Sequence, residues 1–272
     1  MTPAFADPDA GPGSGPGSVV VVVPTYDERE SLPPLLDRIE ALELAVEVLV
    51  VDDGSPDGTG EYADQRAART PWLHVLHRTT KEGLGAAYLH GFAWALRHGA
   101  DVVVEMDADG SHQPEQLVRL LAALEHADVV IGSRYVPGGS VEDWPLSRRL
   151  LSRGGNLYIR AALGVPLRDS TAGFRAFRRT ALETISLEDV ESHGYVFQAD
   201  LARRAIARGL RVVEVPITFV ERTRGESKMT ADVAWESLRL VTRWGVRARA
   251  SEAEDRARRA WRRVRGSFSA TS

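Results

Sequence analysis

From Val19 onward, short apolar runs alternate with longer segments whose apolar residues recur at helical spacing. Val19 to Val23, Glu47 to Val51, Asp101 to Met106 and Val129 to Ile131 read as strands, and their near-continuous hydrophobicity suits burial on both faces. Leu32, Leu35, Leu36, Ile39 and Leu42 predict one helix face after a Ser31 cap and a Pro33-Pro34 start; Leu117, Leu120, Leu121 and Leu124 predict another after Pro114. This alternation predicts an α/β fold, a mainly parallel sheet with helices on both faces, and such sheets bind ligands beyond the carboxyl ends of their strands. After Asp169 the order changes to a Gly-Phe-Arg turn, a helix near Phe197 to Arg208 and a β-rich stretch from Arg211 to Val220. Beyond Thr230 the pattern is helical again. Val233, Leu240, Val241 and Trp244 share one side, with Glu236, Arg239, Arg243 and Arg247 opposite.

Composition narrows the class. Of the 272 residues 43% are hydrophobic and 26% charged, as in an ordinary globular protein. The formal net charge of −4 gives no electrostatic reason to expect a nucleic-acid partner. Zero cysteines exclude disulfides, thiolate metal sites and thiol nucleophiles. Residues 1–18, rich in Gly, Pro and Ala, predict a disordered tail without the basic start and apolar stretch of a signal peptide. No apolar run approaches the roughly 20 residues of a spanning helix. The expected layout is therefore a tail over 1–18, a catalytic domain over 19–228 and an amphipathic basic helical segment over 229–272.

The chemistry-bearing residues sit where strands end. Asp107-Ala108-Asp109 places two carboxylates one residue apart after a buried-looking strand, an arrangement able to hold a hard cation such as Mg²⁺ or Mn²⁺ against phosphate oxygens. A capped, solvated loop would use the same residues. The second acidic loop, Asp52 to Thr59, also follows a strand, and its glycines let backbone amides approach a ligand. The two loops become neighbours at one rim if their strands are adjacent, although Asp, Gly, Ser and Pro also dominate plain turns. No phosphate-binding Gly-X-X-X-X-Gly-Lys loop or Gly-X-Gly-X-X-Gly fingerprint is present, and no histidine pair has zinc spacing. Only His112 lies beside the Asp pair.

In order along the chain, Pro24-Thr25-Tyr26-Asp27-Glu28, Val50 to Thr59, Asp107-Ala108-Asp109, Gly132-Ser133-Arg134-Tyr135, Asp169 to Arg175 and Arg222 to Lys228 resemble the dolichol-phosphate and polyprenol-phosphate mannose synthases, inverting glycosyltransferases of family two. The resemblance implies a glycosyltransferase A-type fold, a GDP-mannose donor and a polyprenyl or dolichyl phosphate acceptor. Position by position it implies that Pro24, Tyr26, Glu28, Val51 and Asp53 surround the guanosine. Asp107, Ala108 and Asp109 would meet the diphosphate, the two aspartates holding the metal. Arg222 and Lys228 would close over the donor, and Arg134, Arg148 and Ser152 would receive the acceptor phosphate. Asp109, Arg134 and Arg148 would carry catalysis. Where some relatives carry Gln after the Asp pair this chain has Ser111, so a third protein ligand is unassigned.

A lipid acceptor and a chain without a spanning helix together place the expected enzyme at the cytoplasmic face of the cell membrane as a peripheral protein, its membrane-protein partner undefined. The C-terminal segment reads either as the interfacial helix or as a helix packed on the core. Two other functions fit the same motifs: a transferase using UDP-glucose or another nucleotide sugar, and a nucleotide-sugar-binding subunit without turnover.

Overall fold

The computed structural model describes residues 17–80, 82–190, 195–221, 238–247 and 249. Most of the 1–18 tail and much of the 229–272 segment therefore lie outside the described residues.

The five-valine run extends into β1 (Val19–Thr25), and the other predicted strands become β2 (Val46–Asp52), β4 (Val102–Glu105) and β5 (Val129–Ser133). β3 (Leu73–His77), β7 (Arg175–Arg178) and β8 (Val212–Pro216) complete a seven-stranded sheet in the order β3-β2-β1-β4-β7-β5-β8. Every neighbouring pair is parallel except those of β7, which runs antiparallel to β4 and to β5. The expected Gly-Phe-Arg turn is thus the entrance to a central strand. β6 (Ser140–Glu142) and β9 (Thr218–Val220) form a separate parallel pair.

Helices cover both faces. α1 (Leu32–Glu40), α2 (Thr59–Ala67), α3 (Leu84–Arg97), α4 (Leu117–Ala123), α5 (Leu146–Leu163), α6 (Arg179–Ile185) and α7 (Tyr195–Ala207) are joined by α8 over 238–247. Along β1 the valines alternate between two cores. Val19, Val21 and Val23 pack with Leu32, Leu36, Leu117 and Leu120, while Val20 and Val22 pack with Tyr88, Phe92 and Phe197. Strands buried on both sides need no polar alternation, which is why they are solid apolar runs. α3 reaches the sheet through Gly91, where an added Cβ would come within 2.3 Å of a Val22 methyl.

Two local expectations change. Ser31 stands before α1 in a helical conformation, and its hydroxyl donates to Glu28 instead of accepting from the first turn. Leu42 falls beyond the end of α1 and is only half-buried. α8 settles on α5: Val241 is buried, Gly245 lies so close to the Ala162 carbonyl that a Cβ would meet it at 2.4 Å, and Thr242 pairs with the Tyr158 hydroxyl at 2.6 Å. The Arg203 guanidinium of α7 lies 5.0 Å from the Trp244 ring centre. Over 238–247 the apolar side is therefore spent on the protein. No helix among the described residues is long and apolar enough to cross a membrane.

Candidate active site

The parallel strands all end at one rim, and because β7 runs the other way its preceding loop, 169–174, arrives there too. β1 lies between β2 and β4, so the condition of adjacent strands is not met and the two acidic loops flank the end of β1 from either side.

The β2 loop is organised by its first aspartate. Asp52 Oδ1 accepts from the Thr25 hydroxyl at 3.0 Å and the Ser55 hydroxyl at 2.5 Å, and Oδ2 from the Ser55 amide at 3.2 Å. Asp53 is buried against Arg78, whose Nη1 donates at 2.5 Å while Nη2 donates to Glu82 at 2.6 Å. Asp57 closes the turn. Its burial alone would raise the carboxyl, but the Thr59 hydroxyl and the amides of Arg29 and Thr59 hold it below its ordinary range. Gly58 enters α2 at φ +86°, a conformation that favours glycine. Pro24, Tyr26 and Glu28 are half-buried at the end of β1, whereas the Val51 side chain is fully buried in the core. Only the backbone of Val51 can face a ligand.

Beside them, Asp107 and Asp109 are half-buried at the end of β4, with Ala108 between them turned into the core. Tyr88 of α3 donates its hydroxyl to Asp107 Oδ1 at 2.8 Å. Burial, followed by the charges of Asp107 and Glu105, pushes this phenol well above its usual range, so it remains a donor. On the other side His112, stacked on Phe174, accepts the Asp107 amide proton at Nδ1 (3.0 Å) and holds Nε2 3.9 Å from Asp107 Oδ2. Asp109 Oδ1 accepts from the Ser111 amide at 3.0 Å. Beneath the pair, burial pushes Glu105 up to about 8, against the nearby positive charge of Arg175. Arg175, itself fully buried, donates to the carbonyls of Ala172, Gln198 and Ser170 at 2.7 to 2.8 Å.

Two half-exposed carboxylates present hard oxygen donors, and among the described residues no group of three His, Asp or Glu converges into a closed metal cage. That donor set fits Mg²⁺ or Mn²⁺, which bind through one or two carboxylates and complete their shell from substrate phosphates and water.

The third group is built around two aromatics. Arg134 at the end of β5 is buried and forks onto Asp169, Nε to Oδ2 and Nη2 to Oδ1, both at 2.7 Å, while its amide also donates to Oδ2 at 3.0 Å. Burial alone would raise Asp169; the Arg134 charge and hydrogen bonds overcome it and hold the carboxyl below its usual range. The guanidinium of Arg134 lies 5.5 Å from the Trp144 ring centre, and that of Arg148 lies 4.2 Å from it. Arg148 also pairs with Glu221. Ser152 accepts from the Tyr135 hydroxyl at 2.7 Å. The structure thus gathers Arg134, Arg148 and Ser152 around Trp144 and Tyr135. Arg222 and Lys228 lie outside the described residues, immediately after Glu221.

The profile of glycosyl transferase family 2 matches residues 20–186. The chain belongs to this family. Its sequence is 58% identical over 231 residues to an undecaprenyl-phosphate mannosyltransferase from Micrococcus luteus, a match covering 85% of this chain and 95% of that protein. It is 54% identical over 253 residues to a polyprenol monophosphomannose synthase from Mycolicibacterium smegmatis, covering 90% and 96%. Among solved structures, glucosyl-3-phosphoglycerate synthase from Mycobacterium tuberculosis, in complex with Mn²⁺, UDP and glucosyl-3-phosphoglycerate, superposes with a TM-score of 0.60 at 22% identity over 87% of this chain and 83% of that one. The family 2 chain is therefore a glycosyltransferase with the expected A-type fold, and its resemblance to the polyprenol-phosphate mannose synthases is upheld.

Sequence reading singled out neither Tyr88 nor Trp144. Tyr88 lies 19 residues before Asp107 on a different element, and Trp144 has no motif around it.

Proposed function

We propose that this family 2 transferase moves mannose from GDP-mannose to a polyprenyl phosphate, inverting the anomeric carbon and depending on a divalent cation. The observation that carries the reading is the juxtaposition, at one sheet rim, of the Asp107/Asp109 pair with the arginine pair around Trp144; the identity to relatives named as polyprenyl-phosphate mannosyltransferases supports the choice of substrates.

Pro24, Tyr26, Glu28, Asp53 and the backbone at Val51 form the proposed guanosine pocket, with Arg222 and Lys228 as its proposed closure. Asp107 and Asp109 would hold the cation, which when bound supplies a Lewis acid to the donor diphosphate. Arg134, Arg148 and Ser152 would hold the acceptor phosphate. That phosphate is a monoester whose second pKa is about 6, so its oxygen is already ionised near neutral pH and no protein base is required. The oxygen attacks the anomeric carbon as the bond to GDP breaks, the electron pair leaving with the β-phosphate. The chain's own contribution is alignment and charge compensation of two anions. Arg134 suits this role because Asp169 fixes its plane before substrate arrives.

A membrane-bound acceptor calls for a surface that meets lipid. Leu146, Leu150 and Leu157 of α5 are 71%, 62% and 67% exposed and fall within about 40° of one another at 100° per residue. With the apolar side of α8 occupied, α5 is the stronger candidate for peripheral contact at the cytoplasmic face.

The deciding assay is transfer from radiolabelled GDP-mannose to a defined polyprenyl phosphate, with and without Mg²⁺ or Mn²⁺, beside a panel of UDP-sugars. Labelled mannosyl lipid formed only with GDP-mannose and metal is expected. A UDP-sugar preferred over GDP-mannose, or full turnover in chelator, overturns the reading.

A further inference from the structure

Beside the exposed leucines of α5 lies a cavity of about 260 Å³ that the proposed reaction does not use, lined by Arg153, Arg160 and Arg168 with Tyr135, Asn156 and Leu157. Arg153 and Arg160 stand two turns apart on the same side of α5, and Arg168 follows from the loop after it. Among the described residues no carboxylate forms an ion pair with any of the three side chains; the Arg153 guanidinium lies 5.5 Å from the Tyr135 ring centre, and the Arg168 backbone amide donates to Glu214 at 2.8 Å. This contrasts with Arg134 and Arg148, each neutralised by a carboxylate. Three exposed guanidinium groups lining one cavity, none of them ion-paired, favour an anion, and planar donors of this kind suit phosphate.

A second observation refines the ligand. Asn156 is 3% exposed, and its Nδ2 donates to the Ser152 carbonyl at 3.1 Å, to Thr171 at 3.0 Å and to Asp169 at 3.3 Å. Its Oδ1, by contrast, is buried with no hydrogen-bond partner. An acceptor oxygen beside three cations matches a ligand that carries a hydroxyl donor next to its phosphate. Leu146, Leu150 and Leu157 supply an apolar surface along the same helix.

We infer that this cavity binds the headgroup of an anionic glycerophospholipid bearing a free hydroxyl, phosphatidylglycerol being the simplest, with the bilayer surface lying against the α5 leucines. The inference rests on the peripheral reading above and adds a lipid site beside the acceptor arginines, with Tyr135 and Arg153 lining both it and the pocket that holds Arg134. The site selects which membrane surface the enzyme occupies and sets α5 at a fixed depth.

The test is sedimentation of the full chain with vesicles of phosphatidylcholine alone, or with phosphatidylglycerol, or with phosphatidylserine at matched charge. The wild type is expected to bind phosphatidylglycerol vesicles more tightly than either of the others. The R153Q/R160Q/R168Q variant is expected to lose about fivefold per arginine, roughly a hundredfold in all, on phosphatidylglycerol while keeping its binding to neutral vesicles. All three side chains are exposed, and an unchanged melting temperature with unchanged turnover on a short water-soluble acceptor confirms an intact fold. The variant L146S/L150S is expected to weaken binding to every vesicle alike. Wild-type affinity in the arginine variant, or equal binding to the serine and glycerol lipids, overturns the headgroup site and leaves peripheral attachment standing. Arginine dependence that appears only when polyprenyl phosphate is added to neutral vesicles also overturns it, assigning the cavity to the acceptor. No wild-type binding to any vesicle removes the membrane reading, and the site with it.

Discussion

Tyr88 grips one oxygen of Asp107 while His112 holds that residue's backbone, so the carboxylate proposed as a cation ligand is already set in direction. Partners of this kind behind a metal ligand typically change metal affinity by 10- to 100-fold when removed. Tyr88→Phe is expected to weaken Mn²⁺ binding in the presence of GDP by about tenfold, read by electron paramagnetic resonance, with kcat recovering at saturating metal. Unaltered Mn²⁺ affinity would assign the hydroxyl to packing alone. Asp109→Asn acts differently: it removes a proposed ligand outright, and at least a hundredfold loss of transfer is expected with the melting temperature preserved, since the side chain is half-exposed. Near-normal turnover would detach Asp109 from the chemistry.

At the scale of elements, the Arg134–Asp169 fork ties the end of β5 to the loop before β7. Removing one member of a buried pair leaves the other charge uncompensated, so Arg134→Ala is expected to cost about 3–5 kcal/mol, measured by denaturant unfolding; a smaller loss would mean that Asp169 finds another partner. The same pair sets an acid limit. Asp169 is held below its ordinary range, so its contribution is complete above its unfolded value near pH 4 and disappears as pH falls through the folded value. Wild-type melting temperature should fall as pH drops below about 4, and Asp169→Asn should flatten that fall. α3 gives a packing test. Gly91→Ala gains helix propensity but drives a methyl into Val22, and a net loss of about 1–3 kcal/mol is expected; a stabilised variant would show that the helix can slide away.

These elements also show what sequence makes legible. β1, β2, β4 and β5 were readable because burial on both faces leaves solid apolar runs. β7 was hidden: its ends are arginines, and nothing in a pattern tells that three backbone carbonyls will satisfy Arg175 inside the sheet. α5 was hidden for the opposite reason, since its leucines face outward and its period does not point to a core. The acidic loops were visible as motifs, but their separation by β1 is a property of strand order. Trp144 became meaningful only once folding placed two arginines over it.

For the whole molecule, α8 fastens the C-terminal segment to α5 and α7 through Val241, Gly245 and Trp244. Gly245→Leu cannot fit against the Ala162 carbonyl and should release α8, exposing Trp244; its fluorescence maximum is expected to shift to the red, and an unshifted spectrum would place the helix elsewhere. The sheet itself is far less forgiving. Phe174, just before β7, and Ala176 within it belong to one core and Phe177 to the other, all within four consecutive positions at the strand that alone runs against its neighbours in the seven-stranded sheet. An extra residue slipped in after Phe174 would exchange the two sides, pressing an aromatic ring into a methyl-sized space and rotating Arg175 away from its carbonyls. Length changes in this segment should therefore be rejected by the fold itself, whatever they do to substrate.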